Sequence, residues 1–143
     1  MMTYDQDFFQ WTQETARAIE EGRFDEIDRA ALADEVESLG KRDRRELGSR
    51  MAVIVLHMLK LKYQPEREAR SWHDSIGEQR EQIAILLVES PSLLPQLPKL
   101  LGDYYPLARR QAANQTGIKL AVFPPTCEWT VEQVLGGDCA PQT

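Results

Sequence analysis

The sequence holds few of the residues that usually mark reaction chemistry. It has only two cysteines and two histidines in 143 residues. Cys127 and Cys139 form no C-x-x-C motif and no metal-ligand spacing, which excludes a zinc ribbon or a paired redox thiol. Two such thiols fit a reducing cytosol. The opening residues Met1 to Asp7 are polar and acidic, so no secretory signal is expected there. No apolar run approaches the ~18–20 residues that a membrane span needs. A glycine-rich phosphate loop, a zinc signature and a nucleophile elbow are all missing. The expectation is a cytoplasmic chain with no cofactor, no metal and no membrane association.

What is present suits an ordinary globular domain, with 42% hydrophobic and 28% charged residues. One helical domain over residues 1–143 is expected, with 137–143 as a loose tail. A net charge of −6 argues against general affinity for nucleic acid or anionic membrane. The charge is uneven. Residues 1–40 hold three arginines against eleven acids, a net −8, whereas residues 41–80 hold ten bases against six acids, a net +4. Attraction between an acidic and a basic helix across a bundle explains this asymmetry, and a basic patch for an anion is the sharper alternative.

Helical periodicity dominates, and no strand-like alternation with turn signals appears. A first helix is predicted from about Thr3 to Glu21, with Thr3 as N-cap and Gly22 beyond its end. Phe8, Phe9 and Trp11 are assigned much of its burial. A second begins near Asp25 or Asp28 and carries the stripe Leu32, Val36 and Leu39. Leu47, Met51, Ile54, Met58 and Leu61 continue nearly in phase. Residues 28–63 therefore read as one long helix kinked near Gly40, or as two helices meeting there. The lack of a turn residue from Lys41 to Glu46 favours one helix.

Gln64-Pro65 ends that stretch. Ser71 is predicted to cap the next helix in a capping box with Asp74, and Ile76, Ile83, Leu86 and Leu87 form its apolar face. Ser92 is predicted to cap a following helix, with a kink or break at Pro106 and an end at Thr116-Gly117. Ile118 to Thr126 reads as extended. Thr130 and Gln133 form a capping box for a short last helix ending near Leu135. The fold class is all-α, a bundle of about five to six helices with an extended C-terminal segment.

Few groups can do chemistry. Arg67 and Arg70 lie where a loop enters a helix N-terminus at Ser71, beside Trp72 and His73, with Arg80 further on. Exposed amides, the positive helix end and guanidiniums together suit a phosphate or carboxylate. The structural alternative is that the arginines pair with nearby acids and Trp72 anchors the loop. Glu35 and Glu37 are weaker acid–base candidates, since adjacent acids on a helix cannot all face one site. His57 lies in an apolar run and reads first as a hydrogen-bonded core histidine. The basic cluster Lys41-Arg42 and Arg44-Arg45 lacks interleaved aromatics.

The motifs Tyr4-Asp5-Gln6-Asp7-Phe8-Phe9-Gln10-Trp11, Gly22-Arg23-Phe24-Asp25, Glu35-Val36-Glu37-Ser38-Leu39-Gly40 and Arg44-Arg45-Glu46-Leu47 carry a family resemblance. So do His57-Met58-Leu59-Lys60, Tyr63-Gln64-Pro65-Glu66, Arg70-Ser71-Trp72, Ser90-Pro91-Ser92-Leu93 and Phe123-Pro124. Together, over about residues 4–136, they resemble the bacterial family known as domain of unknown function 29. Leu61 departs from the pattern, since many members carry Trp there. The resemblance implies an all-helical fold and no activity. It marks Glu35, Glu37, His57, Lys60, Arg70, Trp72 and Arg80 as candidate positions without roles.

Three functions remain open. The favoured one is a non-enzymatic helical module that binds a partner protein, a second copy of itself or a small anion. The second is an enzyme for a phosphorylated or carboxylated small molecule, with His57, His73 or Glu35 as acid or base. The third is a nucleic-acid accessory protein acting through residues 41–45.

Overall fold

A computed structural model describes residues 3–136; the expected loose tail at 137–143 lies outside the described residues. The described residues hold five α-helices and no strand: α1 (Phe8–Glu20), α2 (Arg29–Tyr63), α3 (Arg70–Glu89), α4 (Leu97–Thr116) and α5 (Val131–Leu135). The fold is all-α. The chain divides into two compact units, Met1–Arg42 and Asp43–Thr143. Among the described residues no helix is long and apolar enough to cross a membrane.

In the first unit, α1 starts four residues later than the sequence suggested. Asp7, not Thr3, is the N-cap: its carboxylate accepts from the Gln10 amide at 3.0 Å. Thr3 instead closes a turn, its carbonyl accepting from the Gln6 and Asp7 amides. An ionised carboxylate at the positive helix end holds that position better than a hydroxyl. Gly22 ends α1 as expected, at φ 74°. The Arg23 amide reaches back to the Ala18 carbonyl and the Gly22 amide to Ile19, which closes a Schellman motif.

The burial of α1 also differs from expectation. Trp11, Thr15 and Ala18 are buried, while Phe8 is exposed and Phe9 is 70% exposed. The buried face is thus shifted by a fraction of a turn from the Phe8–Phe9 side. Tyr4 and Phe8 pack their rings on Trp11, at centroid distances of 5.0 and 6.0 Å.

Asp28 caps α2, accepting from the Ala31 amide at 3.1 Å. Asp25 lies in a separate 3-10 turn, Phe24–Glu26. From Arg29 to Tyr63 the helix is unbroken through Gly40, so the single long helix is the one that forms.

The second unit closes around the later part of α2. Leu47, Met51, Ala52, Ile54, Val55, Leu56 and Leu59 are buried there. Ile76, Ile83 and Leu87 of α3 join this core, as do Leu97, Leu100, Leu101, Tyr105, Ala108 and Ala112 of α4. Phe123 is buried from the C-terminal segment and touches the Tyr63 ring edge-on at 5.0 Å. Burying such a side chain stabilises by about 1.5–3 kcal/mol. The capping box of Thr130 and Gln133 forms as expected and launches α5.

One expectation for α4 fails. Ser92 is no cap, because Pro91–Gln96 form a 3-10 segment and α4 begins at Leu97. Pro106 causes no break. The residues beside it are held: the Tyr105 hydroxyl donates to the Pro124 carbonyl at 2.6 Å, and Arg109 donates to the Phe123 carbonyl at 3.0 Å. Those bonds and the buried leucines before Pro106 outweigh one missing helix hydrogen bond. Burial pushes the Tyr105 phenol up to about 12.

Gly48 is buried in α2, and a Cβ there would lie 2.4 Å from the Tyr104 ring. Gly77 in α3 has open space around the same position. Gly77→Ala should therefore stabilise by up to ~1 kcal/mol through helix propensity alone. Gly48→Ala should destabilise by about 1–3 kcal/mol, despite the same propensity gain, because the ring must move. Chemical denaturation of the two variants separates these outcomes.

Candidate functional site

The loop between α2 and α3 is built by two prolonged helix ends. Gln64 follows α2, Pro65–Arg67 form a 3-10 turn, and α3 begins at Arg70. The cap is Ala69, in extended conformation, which offers no side-chain oxygen. The predicted Ser71–Asp74 capping box is therefore absent. Helical conformation starts one residue before Ser71, so its hydroxyl is already past the capping position. Asp74 lies 3.9 Å from Arg70 instead, in an exposed pair that contributes little.

Arg67, Arg70, Ser71 and His73 share this N-terminal end of α3. The Arg70 side chain is 93% exposed. The His73 Nε2 lies 2.6 Å from the Glu68 carboxylate, tying the loop to the first helical turn. Trp72 is half-buried, and the Lys60 ammonium sits 4.5 Å from its ring centroid. Lys60 also donates to the Gln115 carbonyl at 3.1 Å, and burial lowers its pKa.

Arg80 does not join them. It lies ten residues beyond Arg70, about 15 Å along the helix axis. Its guanidinium donates to the carbonyls of Val134 at 3.0 Å and Gln133 at 3.3 Å. It thereby satisfies the C-terminal carbonyls of α5, a task that needs a long cationic side chain.

The acid–base candidates each have different neighbours. Glu35 accepts from the Tyr4 hydroxyl at 3.0 Å and from Arg42 at 3.5 Å, within the first unit. That carboxylate, by its hydrogen bond, raises the Tyr4 pKa. Glu37 is exposed. His57 lies one turn before Lys60. Its Nδ1 is sealed from solvent without a hydrogen-bond partner, so the expected hydrogen-bonded core histidine is only partly realised. Burial, and then the Lys60 charge, lower its pKa. Among the described residues no three His, Cys, Asp or Glu side chains gather as a metal-ligand set. In the basic cluster, Arg42 leans on Glu35 and Arg44 donates to Gln96.

Two features escaped the sequence reading. The first is a cleft of about 450 Å³ between Pro98–Gly102 and Thr126–Glu132, lined by Leu101, Trp129 and Cys127. Burial raises the Cys127 thiol pKa. The second is a bare apolar face in the first unit. Val36 is 59% and Leu39 52% exposed, while Ala31, Glu35 and Ser38 on the adjacent face are half-buried. Helix α2 thus leaves its predicted core stripe uncovered there. The combination of that stripe with an acidic surrounding was the signal available in the sequence.

A family model described as Domain of unknown function DUF29 matches residues 3–140. The chain belongs to this family. Neither curated proteins nor solved structures give a match. The DUF29 description carries no activity, so the roles of these side chains rest on their geometry.

The depressed His57 pKa has a consequence for stability. Below the unfolded-state value of 6.5 the unfolded chain takes up the proton more readily than the native one. Stability is therefore lost as pH falls below that value. His57→Gln should flatten the decline between about pH 7 and 5 relative to the parent. Equal slopes in the two proteins, from urea titrations at each pH, would remove the sealed-histidine interpretation.

Proposed function

We propose that this DUF29 chain is a non-enzymatic helical module of the bacterial cytoplasm whose first unit binds a partner protein. The observation that carries this reading is the exposure of Val36 and Leu39 on α2, which continue an apolar stripe from the half-buried Leu32. Large apolar side chains at helical spacing, with successive members left to water, are typical of a face that another helix covers. Glu35 and His73 are engaged by different partners, Tyr4 and Glu68, and the His57 Nδ1 is sealed from solvent, which supports binding over acid–base catalysis. The free Cys127 thiol suits a reducing compartment. Nucleic-acid binding has weaker support, because Arg42 and Arg44 are engaged by Glu35 and Gln96 and the net charge is −6.

A photo-crosslinking residue at Val36 should capture a discrete protein in cells. The same group at Val88, which is 81% exposed in the second unit, should not. The captured protein, once purified, should bind the parent at least about tenfold tighter than a Leu39→Ser variant. Equal capture from both positions would defeat the reading.

A second reading is a small anion at the start of α3. It is favoured by the uncapped amides there and by Arg67 and Arg70 beside them, with Arg67 making no ion pair among the described residues. Sulfate or phosphate should raise the parent's melting temperature, and Arg70→Ala should abolish that rise. An unchanged rise in the mutant would move the site elsewhere.

A further inference from the structure

We infer that the Leu32–Val36–Leu39 face of α2 is a dock for a basic amphipathic helix, an inference that rests on the partner-binding reading above. Three observations define the occupant. First, the face has the shape of a helix seam. The half-buried Leu32 and the exposed Val36 and Leu39 extend over about 10 Å of one side of α2. Ala33 and Gly40 flank them, both exposed, and nothing lies within 4 Å of a Cβ built on Gly40. A second helix can therefore approach closely along that edge.

Second, the charge is segregated. The first unit carries eleven acids against five bases, so the entire net charge of −6 belongs to it, and the second unit is balanced at twelve each. Third, the first unit's bases are partly neutralised in place. Arg23 pairs with both Glu21 and Glu26, and Arg42 pairs with Glu35. Asp34 and Glu37, in the same two turns as the stripe, are exposed. A second copy docked face to face would set two units of net −6 against each other. A partner helix with an apolar stripe flanked by Lys and Arg gains both apolar burial and opposite charge.

The test uses the full chain and two synthetic helical peptides of about 20 residues. One has a leucine stripe with lysine elsewhere, and the other has the same stripe with glutamate. Fluorescence anisotropy should show the lysine peptide binding and the glutamate peptide failing to bind. A Val36→Ser/Leu39→Ser variant should lose about tenfold in affinity, and so should an Asp34→Lys/Glu37→Lys variant. Both should keep the parent's melting temperature within about 2 °C, because the altered side chains are solvent-facing.

Equal binding of the two peptides, no binding of either, or parent-like affinity in both variants would overturn the inference. So would native mass spectrometry showing a dimer that Val36→Ser/Leu39→Ser dissociates, since a second copy would then be the occupant. A marked fall in that variant's melting temperature would show that the stripe is covered within the chain, and would overturn it too. If the crosslink at Val36 still captures a specific protein while the peptides fail to discriminate charge, only the basic-helix inference falls. If the crosslink also fails, the partner-binding reading falls with it.

Discussion

A wide apolar sector on one helix segment is the constraint on which the second unit depends. Between Met51 and Leu59, helix α2 buries Met51, Ala52, Ile54, Val55, Leu56 and Leu59, which together cover about 200° of its circumference. A sector that wide is more than a single neighbouring helix can cover. It requires α3, α4, α5 and Phe123 to supply their own apolar faces to one shared core. The close approach of Tyr104 to Gly48, and the bonds from Tyr105 and Arg109 to the C-terminal segment, are later details of that enclosure.

The same periodicity that made this core legible made the first unit misleading. Leu47, Met51 and Ile54 of the second stripe are buried, as apolar residues at helical spacing usually are. Leu32, Val36 and Leu39 have the same spacing, yet two of them face water. Spacing reports which residues share a face and not whether anything covers it. Some caps failed for a related reason, although Asp28 was among the two expected for α2. Asp7 and Asp28 compete with Thr3 and Asp25 over a few residues, and packing chooses the winner. Ser71 and Ser92 lost because a proline-led 3-10 turn precedes each helix and resets where it begins. Thr130 succeeded because Gln133 completes both halves of its box.

The candidate site was legible only as a list of residue types. Arg67, Arg70, Ser71 and His73 do share one helix end, as sequence proximity required. Arg80 could not be placed from sequence, because its partners, the carbonyls of Gln133 and Val134, lie more than fifty residues away. His57 was likewise recognisable as semi-buried, but its orphaned Nδ1 depends on tertiary packing. Charge was the more durable signal. The acidic bias at the start of the chain survives as a property of a whole unit, since every unit of net charge lies before Asp43.

The Arg80 contact gives the end of the structure a character of its own. Helix α5 has five residues, far below the length at which an isolated helix persists in water. It exists because Val131, Val134 and Leu135 are buried and because one guanidinium from α3 holds its last carbonyls. Gly136 follows at φ 74°, where a Cβ would meet that guanidinium at 2.7 Å. Helix α5 is thus held by three side chains of the core and by one guanidinium from α3. Opening so short a segment would cost less free energy than unfolding the whole. Its backbone amides would then exchange with solvent ahead of those in the enclosed part of α2.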